Sequence, residues 1–183
     1  MAAFVTPDGI ASAEYRGLGS VFEYTNGDGA CTRSNCGQAA AATFLTLHGK
    51  LEPAEEKAGR IMAGIERHYP PDNLGGLFGT SRRRVTRICK AHGIRVRPIE
   101  GEPALLAQLD LRRPVIVMLG VSAGKLWKWN LPGGHWMVAY GCDAGHVYLT
   151  NWGKMTWPDF RAGWDAFVPR LIGMRRRGLT ALV

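Results

Sequence analysis

Asn35-Cys36-Gly37-Gln38-Ala39-Ala40-Ala41-Ala42-Thr43-Phe44-Leu45 sets a cysteine directly in front of a run of strong helix formers, so Cys36 reads as the first residue of a helix. The helix is expected to run to about His48, with Gly49 closing it in the usual C-terminal position. Four consecutive alanines let other elements approach closely, and Phe44, Leu45 and Leu47 bury the helix centrally. The unpaired N–H groups and the positive dipole end of a helix N-terminus favour an anion, so a thiol placed there is expected to ionise more easily.

A nucleophile needs a base. The chain offers one about a hundred residues later, in Gly133-Gly134-His135-Trp136-Met137-Val138-Ala139-Tyr140, and an orienting amide after it in Thr150-Asn151-Trp152-Gly153. Cys, His and Asn, in that order and far apart in sequence, are the residue types of a thiol-based catalytic triad.

Composition removes several alternatives. Of 183 residues, 46% are hydrophobic and 21% charged, which is ordinary for a globular chain and argues against disorder. Apolar runs fall far short of the ~20 residues a membrane span needs, so no membrane insertion is expected. Met1-Ala2-Ala3-Phe4-Val5-Thr6-Pro7-Asp8 lacks a basic segment followed by an apolar core, which points to a cytoplasmic protein or one exported without a cleaved signal. Cys31, Cys36, Cys89 and Cys142 form no Cys-x-x-Cys pair, so neither a disulfide framework nor a metal site is expected, and no cofactor. The net charge of +8 concentrates at Arg82-Arg83-Arg84, Arg87, Lys90, Arg95, Arg97, Arg112-Arg113 and Arg175-Arg176-Arg177. That pattern reads as a solvated face, with nucleic acid as the alternative partner.

Along the chain, residues 1–30 look loop-rich, with a short strand at Val21–Tyr24. Pro53 opens a second helix, with Ala54, Ala58, Ile61, Met62 and Ile65 on one face and Glu55, Glu56, Lys57 and Arg60 on the other. Pro70-Pro71 stops it. Thr80 or Ser81 caps a third helix with Val85, Ile88 and Cys89 inward, ending at Gly93. A Pro-Pro and Gly-Gly loop before it is too long for a helix-turn-helix. Ile94–Arg97 alternates as a half-exposed strand, and a short helix follows near Glu102–Leu109. Pro114-Val115-Ile116-Val117-Met118-Leu119 reads as a buried strand. His135–Tyr140 and His146–Thr150 read as antiparallel strands joined through Gly141–Gly145. Helices first and paired strands later give an α+β class, with residues 1–183 as a single domain.

Asn35-Cys36-Gly37-Gln38-Ala39-Ala40, Arg113-Pro114-Val115-Ile116-Val117, Gly134-His135-Trp136-Met137-Val138-Ala139-Tyr140-Gly141 and Val147-Tyr148-Leu149-Thr150-Asn151 together resemble papain-like cysteine peptidases. The resemblance is closest to the bacterial group that includes the double-glycine leader peptidases, and it runs from about residue 31 to 167. It implies a helical N-terminal half carrying the nucleophile and a C-terminal antiparallel sheet. It further implies Cys36 as nucleophile, His135 as general base and then acid, Asn151 as the imidazole's orienter, and a peptide or protein substrate. The same triad also serves deamidation and transglutaminase-type acyl transfer. A bacterial effector or toxin is one setting for such a unit.

One position departs from the family's pattern. A glutamine usually stands some six residues before the nucleophile and donates to the developing oxyanion, whereas this chain has Ala30. Losing such a donor costs about 100- to 1000-fold in rate. The backbone N–H of Cys36 and the side chains of Asn35 and Gln38 are the candidate replacements. Without one, the fold serves as a non-catalytic peptide-binding module. Among rivals, Cys31 lacks a following helix, Cys89 sits at an apolar helix position, and His146 and Asp143 fall at a turn. His48, His68 and His92 lie near helix C-termini, where capping accounts for them. Trp127, Trp129, Trp136, Trp152, Trp157 and Trp164 cluster around the His and Asn strands, and Trp136 and Trp152 either pack there or line a substrate groove.

Overall fold

In the computed structural model, residues 1–6, 14–31, 34–72, 79–122, 125–126, 134–166 and 177–182 are described. Trp127, Trp129, Phe167, Arg175, Arg176 and most of the 73–79 loop lie outside them. The element order is β1 (Ala3–Val5), β2 (Arg16–Gly17), β3 (Val21–Glu23), α1 (Cys36–Leu47), α2 (Ala58–His68), α3 (Arg82–Ala91), β4 (Val96–Glu100) and α4 (Gly101–Asp110). There follow β5 (Val115–Leu119), β6 (Val121–Ser122), β7 (Lys125–Leu126), β8 (His135–Cys142), β9 (His146–Leu149), β10 (Gly153–Thr156), α5 (Trp157–Ala166) and β11 (Arg177–Ala181). The architecture is α+β.

The main sheet is antiparallel throughout, in the order β10-β9-β8-β5-β11-β4, with β2 added against the far end of β8. It is covered on both faces, which explains the unbroken apolar run of β5. Ile116 and Met118 join Val138 and Trp136 of β8 in a core with α1, α2 and α3. Val115, Val117 and Leu119 join Met137 and Ala139 in a second core with α4 and α5. Period-two alternation thus feeds two cores rather than one core and solvent. Of the tryptophans, Trp157 and Trp164 belong to the second core and Trp136 to the first.

Helix α1 packs against β8, β3 and α3, and its alanines are fully buried. Gly37 is the point of closest approach, since a Cβ there would meet the Thr80 Cβ at 2.5 Å. Gly49 follows at φ +66°, with the Lys50 N–H donating to the Leu45 carbonyl. Ser81 caps α3 by accepting the Arg84 N–H.

Several elements differ from the sequence reading. Pro53 lies ahead of the second helix, because Ala54 is extended and the chain enters α2 through a 3-10 turn at Glu55–Lys57. Strand β4 begins later than expected because Ile94 is used as a buried plug behind α3, its N–H on the Cys89 carbonyl. Pro98 is tolerated within β4 because that strand is the sheet edge. Strands β1, β10 and β11 carried no local signal. β11 closes the sheet between β5 and β4, where a Cβ on Gly178 would run into Val115. Among the described residues, no helix is long and apolar enough to cross a membrane.

Candidate active site

Cys36 opens α1 and is buried, with Asn35 as the N-cap residue. Its sulfur is faced by the backbone N–H groups of Gly37 and of Trp136, the second residue of β8. The start of β8 therefore rests on the Cys36 end of α1, and His135 immediately precedes Trp136. Across the sheet His135 pairs with Leu119 of β5.

The electrostatics correct one expectation. The thiol of Cys36 is raised above its ordinary value because burial outweighs the stabilising backbone N–H groups. Burial likewise lowers His135 to about 4. Burial thus favours the neutral form of both the buried Cys36 thiol and the partly buried His135 imidazole, not the thiolate that a helix N-terminus alone would favour. The His135 side chain has no hydrogen-bond partner among the described residues.

Asn151 sits in the turn between β9 and β10 at φ +61°, in the left-handed region that asparagine tolerates better than most residues. Its backbone N–H donates to Glu23 Oε2 at 2.8 Å and its Nδ2 to the Tyr24 carbonyl at 2.9 Å. The amide nitrogen is thereby anchored, which leaves Oδ1 as the end that can accept a ring N–H. Trp152 is 37% exposed. With Asn151, Glu23, Tyr140 and Val5 it lines a cavity of about 510 Å³.

Trp136 is 0% exposed, and its indole N–H donates to the Thr80 carbonyl at 2.7 Å, tying β8 to the start of α3. It is core, with no surface left for a substrate groove. The two side chains proposed for the oxyanion are buried as well. Asn35 Nδ2 donates to Asn26 O at 3.1 Å and to Glu66 Oε1 at 2.6 Å. Gln38 Nε2 donates to Tyr69 O at 2.8 Å, and its Oε1 accepts from Thr80 Oγ1 at 2.6 Å. Both buried amides are turned onto the protein itself, Asn35 through two donated bonds and Gln38 through one donated and one accepted, and neither faces solvent.

The rivals resolve simply. Cys31 is exposed, while Cys89 and Cys142 are buried and raised by burial to about 12 and 11. Asp143 is a turn residue, accepting the N–H groups of Gly145 and His146 and the Tyr148 hydroxyl; His146 lies 3.4 Å from it. The Nδ1 groups of His48 and His92 meet the carbonyls of Phe44 and Ile88 four residues back. Among the described residues no cluster of His, Cys, Asp and Glu is placed to hold a metal ion.

One residue escaped the sequence reading. Glu66 on α2 is buried and accepts from Ala30 N at 2.8 Å, Cys31 N at 3.3 Å and Asn35 Nδ2. The signal was present: Glu66 follows Met62 by four, which puts it on the apolar face of α2.

This is the papain-like fold of C39-like peptidase domains. The chain is similar to the peptidase domain of Streptococcus ComA, a bifunctional ABC transporter of a quorum-sensing pathway, at 16% identity and a TM-score of 0.54 over 82% of this chain and 93% of that one. It is also similar to a C39-like peptidase from Bacillus anthracis, at 11% identity and a TM-score of 0.53 over 81% and 88%. No protein-family model and no curated protein sequence matches.

Proposed function

We propose that this chain is a thiol-dependent amide hydrolase, a cysteine peptidase that works through a thioester on Cys36. The observation that carries the reading is the Trp136 N–H on the Cys36 sulfur, because it brings the β8 segment containing His135 to the head of α1. The fold's likeness to C39-like peptidase domains supports the same class. His135, neutral above about pH 4, accepts the Sγ proton as the sulfur attacks the carbonyl carbon of a peptide or protein substrate. Asn151, anchored on Tyr24, offers Oδ1 to the ring N–H and holds the imidazolium in line. The tetrahedral oxyanion is met by backbone N–H groups at the head of α1. The C–N bond breaks as the imidazolium protonates the leaving amine. Water then attacks the thioester with His135 again as base, releasing a carboxylate and the free thiol. An amine in place of that water gives acyl transfer, and a side-chain amide as substrate gives deamidation.

A second reading, a peptide-binding module, is favoured by the commitment of Asn35 and Gln38 to internal partners with Ala30 in the usual donor position. A proteome-derived peptide library followed by mass spectrometry tests the two. New amide cleavage that is absent in Cys36→Ala, with an acyl adduct on Cys36, supports the peptidase. Peptides retained equally by wild type and Cys36→Ala without cleavage support the module.

A further inference from the structure

An asparagine at an N-cap ordinarily turns its side-chain oxygen onto the N–H of the second or third helical residue. Asn35 does not. It makes no cap bond to α1, and its Oδ1, fully buried, has no hydrogen-bond partner. Its Nδ2 is drawn the other way, onto Glu66 Oε1 and Asn26 O. The second helical residue is Gly37, whose N–H faces the Cys36 sulfur. A capped Asn35 would therefore take for itself an N–H that otherwise serves the reactive sulfur.

We propose that Glu66 is a positioning residue that holds Asn35 off the end of α1 and so keeps the helix-terminal N–H groups open to the Cys36 sulfur and to the substrate oxygen. This rests on Cys36 being the nucleophile. The carboxylate divides its two oxygens between the tasks. Oε1 takes Asn35, while Oε2 takes the N–H groups of Ala30 and Cys31, fixing the loop that stands where the family keeps its glutamine. Gly29 is required at the bend because a Cβ there would strike both the Glu66 carboxylate and the Asn35 amide. Mere charge would act with the opposite sign, since a nearby carboxylate disfavours a thiolate and its removal would make Cys36 more reactive.

The test is the rate of Cys36 alkylation by iodoacetamide at pH 8 across a double-mutant cycle of Glu66→Met and Asn35→Ala. Released from Glu66, Asn35 caps α1, so Glu66→Met slows alkylation by about 10-fold, roughly one pKa unit on the thiol. In the Asn35→Ala background the same substitution changes the rate by less than about 2-fold, because no side chain remains to cap. An unchanged or faster rate in Glu66→Met overturns the proposal, and so does an equal fall in both backgrounds. If Glu66→Met does not fold, Glu66→Gln, which meets one set of donors with a donor, is read by the same two comparisons. The peptidase reading fails separately, when His135→Ala leaves Cys36 reactivity untouched.

Discussion

The side-chain amide of Asn151 donates to the Tyr24 carbonyl at 2.9 Å, and two residues further along that segment the Asn26 carbonyl accepts from Asn35 at 3.1 Å. One short stretch of backbone thus holds both Asn35, the residue beside Cys36, and Asn151, the proposed orienter of His135. Asn151 also carries backbone strain, at φ +61°. Asn151→Gly relieves the strain but removes the amide, whereas Asn151→Ala keeps the strain and removes it too. Urea unfolding should place Asn151→Ala about 1 kcal/mol below Asn151→Gly. Both should lose turnover by at least about 10-fold if the amide orients His135.

His135 makes the fold sensitive to acid. Its folded value, about 4, lies below the ordinary 6.5, so between those limits the unfolded chain binds the proton more readily. Stability contributed by the neutral, partly buried ring is complete above pH 6.5 and is lost as pH falls toward 4. The urea midpoint should decline through that window, and His135→Asn should flatten the decline. An equally steep decline in the variant would assign it to other groups.

The two tryptophans beside the site should separate cleanly. Trp136→Phe removes the indole N–H from the Thr80 carbonyl and leaves a gap in the core, so it should cost about 2–4 kcal/mol in unfolding experiments. Trp152→Ala, on the wall of an open cavity, should change stability by less than about 1 kcal/mol and raise KM for a cleaved peptide.

Close packing at the head of α1 gives a further test. Gly37→Ala would place a methyl 2.5 Å from the Thr80 Cβ, and overpacking of this kind costs about 1–3 kcal/mol. Gly64→Ala, on α2 with open space at the same position, should be neutral or slightly stabilising. Thermal unfolding of the two variants makes the comparison.

The sequence carried the elements that announce themselves locally. The Ala run of α1, the Ser81 cap of α3 and the apolar run of β5 each state their structure within a dozen residues. Gly178 in β11 and Gly153 at the start of β10 do not, because their pairing is decided by strands elsewhere. The same division holds in the site. Residue type and order are enough to propose Cys36, His135 and Asn151, whereas the fates of Asn35, Gln38 and Trp136 depended on Glu66, Tyr69 and Thr80, which lie 31 to 56 residues away. Helix-end electrostatics suggested an acidic thiol; burial, invisible in a local window, reversed that direction.

The most direct test of the account is the pH–rate profile of iodoacetamide labelling at Cys36, followed by mass spectrometry in wild type and His135→Ala. With His135 as the base for a neutral thiol, wild-type labelling should persist below pH 7 and fall only as the ring protonates near pH 4, and the variant should lose at least about 10-fold at pH 6. Identical profiles in the two proteins, both rising only at alkaline pH with the thiol's own ionisation, would contradict a working Cys36–His135 pair.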